Sequence, residues 1–293
     1  MMQNTIIYKI IIYSIVIIFS LIVSWILFQK TLKKLYKPLF LSEPYKNSTK
    51  NKSLSIVTYN IQKFPFLFKS FKPIKDLLEK HSIILLQECY DETFDSLETH
   101  FPNHYICRGT LKGINVMNSG LAIISAYPIL ETSFTRFNNY NALTFDRFTE
   151  KGYLTALIDI SESTGIKNKK MMIVNTHLQS CDFEEYDPIA LLQLQELLDY
   201  AHYITTPYII GGDFNIDVKE SKNRYSMLSI HQPMNPTIYI NFKNAHSKST
   251  PGDKYVGLIF DYFITGGGCG KLETKTIVDE YSDHNPVSGL INF

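Results

Sequence analysis

Eight apolar runs of six to eight residues punctuate the chain from Leu54 to its end: LSIVTYNI (54–61), IILLQE (83–88), GLAIIS (120–125), YLTALIDI (153–160), MMIVNTHL (171–178), YIIGGDFN (208–215), LIFDYFIT (258–265) and VSGLINF (287–293). Runs of this length, rich in Ile, Val, Tyr and Phe and bounded by polar residues, predict strands. Between them FKPIKDLLEKH (71–81) carries a helical pattern with Pro73 near its start, and PIALLQLQELLDYAHYI (188–204) is an amphipathic helix opened by Asp187-Pro188. Many strands with interspersed helices predict an α/β fold of sheets covered by helices in layers. No internal repeat and no low-complexity tract interrupts the pattern.

At 293 residues, 45% hydrophobic and 19% charged, the chain has enough apolar material for one large core or two modest ones. Its formal charge of +1 hides an asymmetry. The first 52 residues hold eight lysines against one glutamate, which leaves 21 basic and 27 acidic residues in the remainder. An acidic body argues against non-specific binding to a polyanion, although it leaves room for a local basic groove. The four cysteines, Cys89, Cys107, Cys181 and Cys269, have neither the spacing of a zinc site nor the density of a disulfide framework, and read as free thiols in a reducing compartment.

Ile10 to Phe28 is a run of 19 residues without a charge. As a helix it spans about 28 Å, close to the thickness of a bilayer's hydrocarbon core. It is too long for a signal peptide and no small-x-small site follows it, so residues 1–29 are expected to be an N-terminal membrane anchor, with a re-entrant hairpin as the weaker option. Lys30, Lys33, Lys34 and Lys37 follow it and only Lys9 precedes it, which predicts a single-pass topology with the C-terminal part on the cytosolic side. The same lysines would attract anionic lipid. Residues 30–53, basic and rich in Asn and Ser with Pro38 and Pro44, read as a linker. Residues 54–293 then form the folded body of the chain.

The apolar runs finish on polar side chains: Asn60, Glu88, Asn175 with His177, Asp213 with Asn215, Asp261, and finally SDHNP with Asp283 and His284. Layered α/β folds gather their strand ends at one rim, where loops build a site. In YIIGGDFNID (208–217) the Gly pair suggests a tight turn after the strand. Strand alternation would point Asp213 and Asn215 the same way, with Phe214 opposite. A carboxylate and a carboxamide there suit a phosphate oxygen, a metal or an attacking water. The plain alternative is an Asx-rich turn. GGGCG (266–270) lacks the Lys and following helix of a nucleotide-binding loop and reads as a loop.

Taken in order, TYNI, LLQE, GLAIIS, NTHL, GGDFN, FDYFIT and SDHNP resemble the endonuclease/exonuclease/phosphatase superfamily across residues 54–293. The resemblance implies a four-layer α/β sandwich, two mixed sheets face to face with helices outside. It implies Glu88 as principal Mg²⁺ ligand with Asn60 beside it and Asp283 as a further metal-side carboxylate, Mn²⁺ being a possible substitute. It implies His284 as general base, Asp261 as the group orienting it, Asp213 as a residue positioning or activating the nucleophile, and His177 and Asn215 as holders of phosphate oxygens. The pattern departs at Ile259, where the family commonly has Arg.

Within that superfamily the chain is most like membrane-anchored neutral sphingomyelinases. LLQECYD (85–91) places an aromatic and an acid after the Glu, and FDRFTEKGYL (145–154) matches a D-x-x-x-x-K-G element whose Asp and Lys, here Asp146 and Lys151, act in that group as a switch. An exposed charged turn is the plain alternative for this stretch. The expected substrate is sphingomyelin or a related membrane phospholipid, with no protein partner implied. A membrane-tethered nuclease or phosphatase of the same superfamily is the competing enzyme reading, and a catalytically silent adaptor the third.

Overall fold

The structure is a computed structural model. It describes residue 20 and residues 53–64, 69–90, 96–109, 117–140, 145–180, 188–216, 237–239 and 259–293. Residues 53–293 belong to one unit of the chain, Leu41–Phe293. Apart from residue 20 and Ser53, the expected anchor and basic linker lie outside the described residues, among which no helix is long and apolar enough to cross a membrane.

The strands are β1 (Ser53–Lys63), β2 (Ile83–Cys89), β3 (Tyr105–Arg108), β4 (Ala122–Ser125), β5 (Ile129–Arg136), β6 (Gly152–Asp159), β7 (Lys170–His177), β8 (Tyr208–Asp213), β9 (Thr237–Tyr239), β10 (Asp261–Gly266), β11 (Leu272–Thr276) and β12 (Val287–Asn292). Four α-helices are described, α1 (Lys72–Leu78), α2 (Leu97–His100), α3 (Ser161–Thr164) and α4 (Pro188–His202), with a 3-10 turn at Phe145–Phe148. One sheet runs β11-β12-β1-β2-β4-β3 and the other β5-β6-β7-β8-β10-β9. Each is antiparallel except for one parallel pair, β1 with β2 and β7 with β8.

The period of two sorts side chains into layers. Leu54 and Ile56 of β1, Ile83 and Leu85 of β2, Met171 and Ile173 of β7, Ile209 of β8 and Phe263 of β10 meet between the sheets. The alternate set on β1 and β2, Val57, Tyr59, Ile61, Ile84 and Leu86, faces outward and packs on Ile74 and Leu78 of α1 and Leu97 of α2. Val174, Ile210 and Ile264 on the other sheet do the same against Leu194, Leu197 and Ala201 of α4. The result is helix, sheet, sheet, helix.

Four strands escape the apolar pattern, β3, β5, β9 and β11, and all four are sheet edges. β5 (ILETSFTR) buries only two of its eight residues, and β11 (LETKT) two of its five, because each is the edge of its sheet. β3, the opposite edge of β11's sheet, is only four residues long. The glycine pair of GGDFN makes no turn. Gly211 and Gly212 lie inside β8, where a Cβ on Gly211 would come 2.7 Å from both Leu85 and Phe263, and one on Gly212 would come 2.0 Å from the Thr176 carbonyl. Their absent side chains let the sheets, and β7 and β8, approach. Cys89, Cys107 and Cys269 are buried and not disulfide-bonded to one another, and Cys181 lies outside the described residues.

Candidate active site

Where the inter-sheet core reaches one rim, the inward positions turn polar. Continuing the inward parity gives Thr58 and Asn60 on β1, Gln87 on β2, Asn175 and His177 on β7, and Asp213 on β8. Asp261 begins β10 rather than ending a run, yet it reaches the same rim, because β10 is antiparallel to β8 and pairs Asp261 with Asp213. Likewise β12 starts there, Val287 opposite Thr58, so the preceding loop delivers Asp283 and His284.

Glu88 reaches this rim by a local exception. With Ile84 and Leu86 facing outward, alternation would send it outward too. Its φ is +52°, in the left-handed region, and Cys89 resumes the outward face against the outer cluster. In the same place β1 advances three residues, Asn60 to Lys63, while β2 advances two, Gln87 to Cys89, and Gln62 has φ +48°. This bulge turns the carboxylate inward. Non-glycine residues in that region are costly and gather at functional sites.

The central side chains touch. Asn60 Nδ2 donates to Glu88 Oε1 at 3.1 Å and to Asp213 Oδ2 at 3.0 Å, joining the two sheets. His284 Nδ1 lies 2.7 Å from Asp261 Oδ2, and its Nε2 lies 3.6 Å from Asp213 Oδ2. His177 Nε2 stands 3.6 Å from the same Asp213 oxygen. Asp213 Oδ1 accepts from the Asn215 backbone N–H at 3.0 Å, an Asx turn beyond the strand end. Asn215 itself has φ +50°, and its side-chain amide donates to the Leu178 carbonyl at 3.0 Å. Asp283 is exposed at the edge of the site, where Gln62 Nε2 donates to it at 3.2 Å.

Asp146 and Lys151 stand behind His177. Their ion pair, 3.2 Å, is largely buried, with the lysine side chain 3% exposed and the aspartate 14%. Lys151 Nζ also donates to the Leu178 carbonyl, and Asp146 Oδ2 accepts from Gln179 Nε2 and from the backbone and hydroxyl of Ser180. Lys151 and Asn215 therefore converge on the Leu178 carbonyl, just after His177, while Asp146 holds the next two residues, Gln179 and Ser180.

Burial sets the charges. It raises Glu88 to about 7, against the Asn60 hydrogen bond and the charges of Lys151 and His284. It lowers His177 to about 4, with Lys151 adding to the shift. Burial also works to lower His284, but Asp261 and Asp213 outweigh it and hold the imidazole well above its usual value. For Asp213, burial favours the protonated form, and the facing His284 and His177 reverse that.

A buried carboxylate raised this far, with Asp283 at the edge of the same site, fits a hard divalent cation. Asn60 presents Nδ2 rather than its oxygen to Glu88, and its Oδ1 accepts from the Gln62 backbone N–H at 3.2 Å, so its amide would have to turn to act as a ligand. The ligand atoms of Asp213, Asp261 and His284 also lie within 4.8 Å of one another, a second spacing that a cation could use. Since His284 is already bonded to Asp261, the Glu88 carboxylate is the better candidate for holding a hard cation.

Two residues absent from the motifs, Lys69 and Gln62, lie beside Glu88 and Asp283. Lys69 Nζ donates to the Ile61 carbonyl at 3.4 Å, to Gln62 Oε1 at 3.3 Å and to the Tyr281 carbonyl at 3.1 Å. Burial lowers its pKa, while Asp283 and Glu88 act to raise it. No periodicity marks Lys69 or Gln62; the bulge in β1 places Gln62, and Lys69, beyond the strand, bonds back to it.

The sequence model of the Endonuclease/Exonuclease/phosphatase family matches residues 57–284. No curated protein matches the chain significantly. Among solved structures, a variant of beta toxin from Staphylococcus aureus with bound magnesium ions is similar at TM-score 0.64 and 18% identity, covering 82% of this chain and 99% of that one. Sphingomyelinase C from Streptomyces griseocarneus is similar at TM-score 0.61 and 17% identity, over 82% of this chain and 99% of that one. TDP2 from D. rerio complexed with a single-strand DNA product gives 0.59 and 16%, over 81% and 98%. At these identities the likeness is one of fold.

Proposed function

The chain belongs to the endonuclease/exonuclease/phosphatase family, whose members are metal-dependent hydrolases of phosphoric esters, and from that premise we propose that its substrate is sphingomyelin or a related phospholipid. The observation that carries this reading is the buried Asp146–Lys151 pair. It occupies the D-x-x-x-x-K-G element that resembles the switch of membrane-anchored neutral sphingomyelinases, and it is bonded to the segment just after His177. A plain exposed turn would leave neither charge buried. The apolar run Ile10–Phe28 and the acidic body support a substrate held in a bilayer over a polyanion. Both sphingomyelinase C and TDP2 share the fold, so fold alone leaves the phosphodiester open.

In this reading Glu88, with Asn60 and Asp283, would hold Mg²⁺, which when bound would polarise the phosphoryl group and offset charge on the leaving oxygen. Asp261 fixes the imidazole of His284 through Nδ1 and leaves Nε2 toward Asp213 and the cleft. His284, once neutral, takes a proton from water as that water attacks phosphorus. Asp213 orients the nucleophile, and His177, neutral in its buried position, donates to a phosphate oxygen with Asn215. The phosphorus–oxygen bond to ceramide breaks, the ceramide oxygen takes up a proton, and phosphocholine is the other product. The domain faces the cytosol, with Lys30–Lys37 against anionic lipid.

The test is the purified full chain with Mg²⁺, offered sphingomyelin vesicles, single-stranded DNA and duplex DNA in parallel. Phosphocholine release from the vesicles, at a rate well above DNA cleavage, is expected. Cleavage of DNA with intact sphingomyelin would replace the lipid reading by the nuclease one.

A further inference from the structure

One rung below the site, a second set of polar side chains joins the sheets. Gln87 is fully buried on β2, adjacent to Glu88 in sequence; Asn175 is fully buried on β7, two residues before His177. Gln87 Nε2 donates to Asn175 Oδ1 at 2.7 Å across the gap and to Thr58 Oγ1 at 3.0 Å on β1. Asn175 Nδ2 crosses back, donating to the Leu86 carbonyl at 2.8 Å and to the Ala122 carbonyl at 2.9 Å. Leu86 and Ala122 are the last paired residues of β2 and β4. The Asn175 amide thus takes both carbonyls where that ladder ends.

The same rung is tight on β8. Asn175 pairs with Gly211, whose missing Cβ leaves room for Leu85 of the facing sheet. The rung above is the site itself, with Asn60 reaching from Glu88 to Asp213. The groups of the proposed reaction are divided between the sheets: Asn60 and Glu88 on one, His177, Asp213 and Asp261 on the other. Something must set the distance between the halves, and apolar contact alone specifies it poorly. Three directed hydrogen bonds across the gap, shielded from water, specify it well, and a fourth, to Thr58, steadies Gln87 within its own sheet.

We propose that Gln87 and Asn175 are positioning residues, a pair of interlocked amides that sets the span between the Glu88 side of the site and the Asp213–His177 side. Neither touches substrate. Their effect passes through Glu88, one residue on, and His177, two residues on. The inference rests on the family's hydrolase chemistry and not on the lipid substrate.

The experiment compares Gln87→Leu, Asn175→Leu, the double variant, and the exchanged pair Gln87→Asn with Asn175→Gln. Each is assayed with Mg²⁺ on bis(p-nitrophenyl) phosphate, for Mn²⁺ affinity by electron paramagnetic resonance, and for thermal stability. Each single variant is expected to lose ~10–100-fold in kcat and a comparable factor in Mn²⁺ affinity, the range seen when groups behind a metal site are removed. KM should move less than about threefold, and the double variant should be little worse than either single one, because the two residues act as a unit. The exchanged pair keeps both amides and should recover most of the loss. Losses that add in the double variant, or that vanish when each variant is assayed at the same interval below its own Tm, would leave only ordinary core residues and overturn the proposal. So would a folded Gln87→Leu protein with unchanged kcat and Mn²⁺ affinity. If Gln87→Leu does not fold, Thr58→Val removes only the hydroxyl that steadies Gln87 and makes the same comparison. If the wild-type chain binds Mn²⁺ but cleaves no phosphodiester, the hydrolase reading fails by itself, and the Mn²⁺ affinities still decide the positioning role.

Discussion

His284 and Asp261 are bonded at 2.7 Å, Nδ1 to Oδ2, and this single contact orients the ring so that Nε2 faces Asp213 at 3.6 Å. The two carboxylates raise the proton affinity of the imidazole well above its usual value. A base must be neutral to act, so turnover should rise with pH through the His284 titration. Asp261→Asn removes the larger raising charge and should move that rising limb to lower pH. It should also lower kcat by ~10²–10⁴-fold, the usual range for loss of general-base function. A pH–rate profile of the two proteins checks both; an unmoved limb would assign the base elsewhere.

Glu88→Gln separates metal binding from folding. Burial already raises this carboxyl to about 7, so the amide removes a group that is strained in charge when no cation is present. The metal-free variant is expected to be as stable as the metal-free wild type or more so. Its Mg²⁺-induced rise in Tm should vanish, and turnover should fall to that of chelator-treated wild type. Thermal melts with and without Mg²⁺ measure the first two.

Asp146 and Lys151 form a buried pair, and removing one partner strands the other. Lys151→Met is expected to cost ~3–5 kcal/mol, the usual cost of breaking a buried pair. Lys151→Met with Asp146→Asn should cost less, because no unpaired charge remains. Denaturant titration gives the difference. Asp146→Ala should in addition lower turnover on bilayers, read as phosphocholine release per folded protein.

Gly211→Ala and Gly212→Ala differ in what they strike. At Gly211 the added methyl meets side-chain carbons of Leu85 and Phe263, which can shift, and overpacking of that sort costs ~1–3 kcal/mol. At Gly212 it meets the Thr176 carbonyl at 2.0 Å, with φ at +155°, and backbone of a paired strand cannot step aside. Gly212→Ala is expected to be the more destabilising, by equilibrium unfolding.

His81 offers a pH test away from the site. Its Nε2 lies 2.9 Å from Ser288 Oγ and its Nδ1 3.2 Å from the Leu77 carbonyl. Burial lowers its pKa below 6.5, with the Leu77 and Leu78 carbonyls opposing. The unfolded chain therefore binds the proton first as pH falls, and the stability His81 contributes above pH 6.5 is lost as pH drops toward its folded value. Wild type should lose more stability than His81→Gln between pH 8 and pH 5.5. Equal losses in denaturant titrations would remove His81 from the account.

The sequence by itself determined which residues are apolar and with what period, and this was enough for the layered α/β class and the main strands. It also carried the family: Asn60, Glu88, Asp213, Asp261 and His284 stand in short motifs whose order can be read without coordinates. The edge strands β5 and β11 were illegible because an edge buries too little to leave an alternating pattern. Only the tertiary structure decided which way each polar group points. Glu88 faces the site against the alternation of its own strand because a bulge gives it a left-handed backbone. Asn215 leaves the direction that alternation assigns it and bonds Leu178, since the strand has already ended at Asp213. Gln87 and Asn175, 88 residues apart, become a pair only when two sheets close on each other. Periodicity is a property of neighbours along the chain. Register, bulges and inter-sheet contacts are set by the joint packing of residues distant in sequence.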